Sequence, residues 1–488
     1  MHSLHDLEIL LLKDKRLIVI ETEQEGCFIG GFNELARNTH RPVFLWSITK
    51  GLQRLANGFE AQKHNGDFKQ LLGQINSTSV AGIYVLVDFH PFIDDPVAVR
   101  YIKDCLHDTE HTIIFLSQAL NLPEELKAYA THYALPLPTR EELKEMVRST
   151  AKEWSKDHGT RLKVQDRQIV SRIVDNLCGL TMKDAQRLAR HAIFEDGILD
   201  QKDIIEIAKD KFDVLNEDSL LNLQLDYEEL DDIAGLNNLK RWLELRRPVF
   251  NGEKAIPGAD SPKGVMLLGV QGCGKSMAAK AVASSWGAPL LHLDFSILYN
   301  RFYGQTEENL RSALSIAEGM APCILWLDEI EKGLSAVSAS DDVSKRMLGT
   351  FLTWLAENKK KVFIVATAND VSALPPELLR KGRFDEVFFV DLPDLESREA
   401  ILSIHMKRRQ LATKDVNLKH IAELTDGFSG AELEQLVVSA VYATFAENTQ
   451  LDTDALEAEL RQTRPLSILM SERIAELRQW ATGRTVPA

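Results

Sequence analysis

Apolar residues along this chain gather into short unbroken runs instead of alternating with polar ones. In the second half these are Val265-Met266-Leu267-Leu268, Cys323-Ile324-Leu325-Trp326-Leu327, Val362-Phe363-Ile364-Val365-Ala366 and Val387-Phe388-Phe389-Val390. The first half carries Leu17-Ile18-Val19-Ile20, Gly82-Ile83-Tyr84-Val85-Leu86-Val87 and Thr112-Ile113-Ile114-Phe115-Leu116. Runs of this length without alternation predict strands buried on both faces, as in a parallel sheet. A good helix-forming stretch, Met277-Ala278-Ala279-Lys280-Ala281-Val282-Ala283, follows one of them, so the pattern predicts an α/β fold. The most apolar stretches, Ile9-Leu10-Leu11-Leu12 among them, are of core-element size and far short of a bilayer span.

The run ending at Leu268 leads directly into Gly269-Val270-Gln271-Gly272-Cys273-Gly274-Lys275-Ser276 and then Met277. A buried strand, a glycine loop and a helix start make a cradle for polyphosphate. The glycines let backbone N–H groups turn onto the phosphates, and the helix N-terminus adds its positive dipole end. The spacing matches G-x-x-x-x-G-K-[ST] in full, with Lys275 expected to reach the β/γ-phosphates and Ser276 to hold Mg²⁺. A nucleoside triphosphate is the expected ligand. Cys273, at the helix start, is a candidate for a lowered thiol pKa and oxidative inhibition.

The next run ends in Asp328-Glu329. Asp328 is expected to bind Mg²⁺, directly or through water, and Glu329 to orient and deprotonate the attacking water. A third run ends in Thr367-Ala368-Asn369, where the Asn369 amide can hydrogen-bond that water or the γ-phosphate. Then come Leu374-Pro375-Pro376-Glu377-Leu378-Leu379-Arg380-Lys381-Gly382-Arg383 and the run Val387–Val390. In this order, after a phosphate loop and an acid pair, Arg380 and Arg383 read as arginine fingers.

With these motifs in place, the segment from roughly Leu225 to Gln410 resembles an AAA-type ATPase domain, a branch of the P-loop NTPases. The resemblance implies a three-layer α/β/α domain with a small helical lid, ATP and Mg²⁺ as ligands, and a ring usually of six subunits. Arg380 and Arg383 of one subunit would then reach the γ-phosphate held by its neighbour, an effect worth about 10³–10⁵ in turnover by analogy with GTPases. Asp232-Ile233-Ala234-Gly235 resembles the segment beside the adenine, with Ala234 where a glycine is usual. His405 resembles the adenine-side histidine, and Gly427-Phe428-Ser429-Gly430-Ala431-Glu432 the start of the lid helix. Arg301-Phe302-Tyr303-Gly304-Gln305 matches the loop lining the central pore of protein-threading relatives, where Phe302 or Tyr303 would grip an extended polypeptide. Gln305 replaces an acid common there. Leu334-Ser335-Ala336-Val337-Ser338-Ala339-Ser340-Asp341-Asp342 reads as a mobile loop near the same pore.

The first half repeats the second with its chemistry removed. Leu122-Pro123-Glu124-Glu125-Leu126 echoes Leu374-Pro375-Pro376-Glu377-Leu378, and Gly179-Leu180-Thr181 echoes Gly427-Phe428-Ser429. Where phosphate would sit stand Glu21, Glu23 and Glu25, with Cys27 at the lysine position, and such acids repel a triphosphate. Asp88 is followed by Phe89, and the finger positions hold Ala128 and Thr131. The expected organisation is a degenerate AAA-like domain over 1–140, a helical lid-like segment and linker over 141–218, an ATPase large domain over 219–395 and a lid with a C-terminal helix over 396–488. His107-Asp108-Thr109-Glu110-His111 formally fits H-x-x-E-H, but it runs straight into a strand and reads as a solvated polar turn.

Composition narrows the setting. The net charge of −15 disfavours a nucleic-acid partner. Five scattered cysteines without a C-x-x-C pair point to a reducing compartment, and Asp6 and Glu8 argue against a secretory signal. Nearly the whole chain resembles the AAA proteins named after the forty-sixth hypothetical chloroplast reading frame, found in plastids, cyanobacteria and other bacteria. Supporting residues include Ala321-Pro322-Cys323-Ile324-Leu325-Trp326, Gly349-Thr350-Phe351-Leu352-Thr353-Trp354-Leu355 and Leu477-Arg478-Gln479-Trp480-Ala481. The expected setting is the cytoplasm, or the plastid stroma for a plastid-encoded chain, with no membrane partner. Two roles follow: a ring remodelling or threading a protein client, or a nucleotide-gated scaffold whose N-terminal half docks a partner.

Overall fold

The computed structural model describes residues 2–13, 15–22, 31–32, 35–55, 67–118, 120–133, 137–216, 219–225, 228, 230–252, 257, 260–298, 305–334, 342–380, 382–411 and 416–488. The chain forms two compact units, Met1–Pro136 and Leu137–Ala488.

In the first unit, α1 (His2–Leu12) precedes β1 (Leu17–Glu21), β2 (Val43–Ser47) and β3 (Gly51–Arg54). Next come α2 (Phe68–Ser77), β4 (Ile83–Val87), α3 (Pro96–Asp108), β5 (Thr112–Ser117) and β6 (Ala130–Tyr133). Among the described residues the sheet order is β3-β2-β4-β5-β1-β6, parallel except for β3 against β2. Alternate residues of each strand enter opposite cores. Leu17 and Val19 pack with Leu71 of α2 and Ile102 of α3, while Ile18 and Ile20 pack with Leu7 of α1. Both faces are covered, which is why the strands read as unbroken apolar runs.

The second unit opens with a helical bundle: α4 (Arg140–His158), β7 (Lys163–Val164), α5 (Arg167–Leu177), α6 (Met182–Asp196), β8 (Ile198–Leu199) and α7 (Gln201–Leu215). Then follow β9 (Asn222–Gln224), α8 (Asn237–Phe250), β10 (Gly264–Gly269), α9 (Lys275–Trp286), β11 (Leu290–Leu293), α10 (Gln305–Gly319), β12 (Cys323–Leu327), α11 (Ile330–Leu334), α12 (Asp342–Glu357), β13 (Val362–Ala368) and β14 (Glu386–Val390). The lid comprises α13 (Leu395–Arg408), α14 (Leu418–Leu424), α15 (Gly430–Glu447) and α16 (Thr453–Gln462). The chain closes with α17 (Ser471–Ala481) and β15 (Val486–Pro487). The sheet order is β15-β14-β10-β13-β12-β11-β9, with β9 antiparallel to β11. One face packs Met266, Leu325 and Ile364 against α10 and α12, and the other packs Val265, Trp326 and Phe363 against α8 and α9.

The repeat read in the sequence is present in the topology. Strands β6-β1-β5-β4-β2 stand in the same order as β14-β10-β13-β12-β11. The bundle echoes the lid down to its caps. Thr181 caps α6 by accepting from Asp184 N, and Ser429 caps α15 by accepting from Glu432 N, each two residues after a left-handed glycine, Gly179 and Gly427. Asp200 and Asp452 cap the next helix in each set.

Two expectations for the first half change. Thr131 lies inside β6, paired with Ile18, so the loop that would carry fingers is shorter than the alignment of motifs assumed. His111 is buried, with Nδ1 accepting from Gly82 N at 3.1 Å and Nε2 facing Thr78 O at 3.0 Å. It is a bonded core histidine in place of a solvated turn. Glu21 does stand at the end of β1, and its Oε1 accepts from Leu120 N at 3.0 Å; Glu23, Glu25 and Cys27 lie outside the described residues.

Candidate nucleotide site

The C-terminal ends of β10, β12 and β13 meet the lid around a cleft of about 530 Å³. Gln271, Gly272, Cys273, Gly274, Lys275, Ser276 and Met277 line one end of it. Gly269 and Val270 lie beneath, and their carbonyls accept from Lys275 Nζ at 2.9 and 2.8 Å. Gly269 is forced to be glycine. Its φ is +146°, and a Cβ there would stand 2.0 Å from Val390 O. Burial pushes the Lys275 ammonium down to about 8. An amine drawn out of water and held on two carbonyls is poised to exchange them for an anion.

Ser276 Oγ lies 3.5 Å from Asp328 Oδ1. A hydroxyl and a carboxylate side by side are hard oxygen donors of the kind Mg²⁺ takes when phosphates and waters complete its shell. The residues therefore fit the cation the loop implies.

Beside Asp328, Glu329 sits at φ +48°, a left-handed backbone uncommon outside glycine. Its backbone N–H donates to Thr367 Oγ1 at 3.0 Å, and that hydroxyl donates to Asp328 Oδ1. Asn369 Nδ2 donates to Glu329 Oε1 at 3.0 Å, and Lys332 pairs with Glu329 Oε2. The buried Glu331 accepts from Asn369 N at 2.8 Å. Sequence reading picked Asp328, Glu329 and Asn369 and missed Thr367, Glu331 and Lys332. Spacing gave no signal for Thr367 and Glu331, which act across strands, whereas Lys332 pairs locally, three residues after Glu329.

Ile233, Ala234, His405 and Ala431 also line the cleft, together with Ile401, Ile404 and Glu434. Burial pushes the His405 imidazole below its ordinary value. Its Nδ1 is 3.6 Å from Glu434 Oε1, which also accepts from Arg409. Ala431 N donates to Gly272 O at 2.9 Å, so the first turn of α15 is bonded to the glycine loop. Helix α17 ties two strand ends of the site: Arg478 pairs with Asp391, just after β14, and Arg473 with Asp370, two residues after β13.

One expectation is reversed and others are left untested. Burial pushes the Cys273 thiol up to about 11, opposite to the lowered value expected at a helix start, because desolvation outweighs the nearby Lys275 charge. Arg380 is exposed and Arg383 half-buried, and neither lines the cleft. Phe302 and Tyr303 lie outside the described residues, as do Ser335–Asp341 of the loop near them. No described helix is long and apolar enough to cross a membrane.

Comparisons with known proteins agree with this architecture. Residues 265–392 match the ATPase family associated with various cellular activities (AAA), and 415–457 match the AAA+ lid domain. Residues 3–135 and 141–218 match the N-terminal and second domains of SpoVK-like AAA ATPases. Proteins named "Uncharacterized AAA domain-containing protein ycf46" are similar along almost their full length. That of Pyropia yezoensis is 32% identical, covering 99% of this chain and 98% of its own. That of Gracilaria tenuistipitata var. liui is 33% identical, covering 98% and 97%. The chain belongs to the ycf46 family of AAA-domain proteins, an α/β P-loop fold with a lid, preceded by an AAA-like domain of the same strand order.

Proposed function

We propose that this protein hydrolyses ATP with Mg²⁺ in a ring of identical subunits, and that the ring remodels or threads a protein client. The observation that carries the reading is the cleft itself. Lys275, Ser276, Asp328, Glu329 and Asn369 converge at one end, an apolar slot with His405 stands at the other, and the arginines of the same chain stay out.

Lys275 and the backbone N–H groups from Gly272 to Ser276 hold the β- and γ-phosphates. Ser276 and Asp328 hold Mg²⁺, and the chemistry it supplies when bound is charge neutralisation between phosphate oxygens. Glu329 takes the proton of the attacking water, and the Asn369 amide fixes the direction of the Glu329 carboxylate. Arg380 and Arg383 stabilise the transferring phosphoryl group in the neighbouring subunit. Ile233 and Ala234 offer backbone to the adenine edge, with His405 and Ala431 beside it. Phe302 and Tyr303 contact the client.

The test is Mg²⁺-dependent phosphate release and nucleotide binding by three forms. Lys275→Ala should lose both, and Glu329→Gln should keep binding while turnover falls by about 10²–10⁴-fold. Unchanged turnover in Glu329→Gln would overturn the reading. A second reading, a nucleotide-gated scaffold, draws on the first unit: it is compact by itself, and Glu21 occupies the crest of its sheet. Client unfolding by the parent that is lost in Phe302→Ala favours threading; no client unfolding by the parent, or every ATP-dependent activity left intact in Phe302→Ala, counts against it.

A further inference from the structure

Asn369 is held from two directions by two acids of one short segment. Its side-chain Nδ2 donates to Glu329 Oε1 at 3.0 Å, and its backbone N donates to Glu331 Oε1 at 2.8 Å. Glu329 immediately precedes α11, and Glu331 lies in its first turn. The two bonds clamp the end of β13 to the segment that follows β12. We propose that Glu331 is a positioning residue for hydrolysis, fixing the Asn369 backbone so that its amide orients the Glu329 carboxylate toward water. The proposal rests on the ATPase reading above.

Glu331 is a costly way to fill that space. It is only 7% exposed, does not line the cleft, and its Oε2 is buried without a hydrogen-bond partner among the described residues. An unpartnered buried oxygen carries a desolvation cost that an apolar side chain of similar size avoids. Packing therefore does not call for an acid here, whereas the Asn369 N–H calls for an acceptor. Burial also pushes the Glu331 carboxyl above its ordinary value. A glutamine keeps the acceptor; a leucine removes it and leaves the volume.

The test uses the full chain, with steady-state hydrolysis and titration of a fluorescent ADP analogue. Glu331→Leu should lower kcat by roughly 10–100-fold, the usual cost of releasing a group that orients a reacting one. Its affinity for the ADP analogue should stay within about twofold, and Glu331→Gln should hold kcat within about threefold of the parent. Glu331→Asp, with its shorter arm, should lose kcat in the same direction and serves if the leucine form does not fold. Three results overturn the proposal alone: full turnover in both Glu331→Leu and Glu331→Asp, parallel loss of kcat and nucleotide affinity, or damage by glutamine equal to that by leucine. A parent protein no faster than Glu329→Gln overturns the ATPase reading, and the proposal with it.

Discussion

Thr367 has a hydroxyl that serves two neighbours at once, accepting from Glu329 N and donating to Asp328 Oδ1. Valine has nearly its shape without either bond. Thr367→Val leaves the Glu329 N–H and one Asp328 lone pair without their partner, a cost of about 1–3 kcal/mol. Thermal unfolding should reveal that loss, and turnover should fall because Glu329 and Asp328 are no longer locked together. Unaltered kcat and Tm would refute the linkage. Residues at this scale were partly legible in sequence. The glycine loop, Asp328 and Glu329 are contiguous with apolar runs, so their chemistry shows in one dimension. Thr367 and Glu331 owe their roles to the packing of β12 beside β13, which the sequence carries only as two separate strands.

Secondary-structure elements bring different constraints. The end of β10 passes so close to Val390 that a Cβ at Gly269 would meet the Val390 carbonyl at 2.0 Å. Two backbones cannot move apart without breaking the β10–β14 ladder, so Gly269→Ala should lower stability by more than about 3 kcal/mol in urea unfolding. A value under about 1 kcal/mol would contradict this close approach. In the first unit, His111 joins β5 to the turn before β4. Its Nδ1 accepts from Gly82 N, so Nε2 carries the proton donated to Thr78 O, and the ring is neutral. Burial holds its pKa below the ordinary value. The unfolded chain thus binds the extra proton first: the contribution to stability is complete above about pH 6.5 and is lost as pH falls. Amide exchange in β4 and β5 should quicken from pH 6.5 downward after correction for intrinsic rates, and His111→Gln should remove that dependence. Strands with both faces buried were the legible ones. Strand β6, with His132 exposed at the sheet edge, and β11, where His292 lies tilted against Trp326 with ring centroids 4.3 Å apart, break the apolar run and were not foreseen. The tail strand β15 has only two residues, too short for any pattern.

For the whole molecule, the absence of Arg380 and Arg383 from their own cleft is the feature with the widest consequence. If they act on a neighbour, Arg383→Ala subunits keep an intact cleft and Lys275→Ala subunits keep intact fingers. Mixed assemblies should then recover part of the activity that each lacks alone. The duplicated strand order shows a fold used twice, and the cleft described above lies in the second unit. The most direct measurement is specific ATPase rate against protein concentration, followed across the range where sedimentation shows subunits associating. A shared site predicts a rate per subunit that climbs steeply with assembly and falls by about 10³-fold or more in Arg383→Ala at saturating concentration. A monomer that never associates and turns over at a constant full rate would contradict the account.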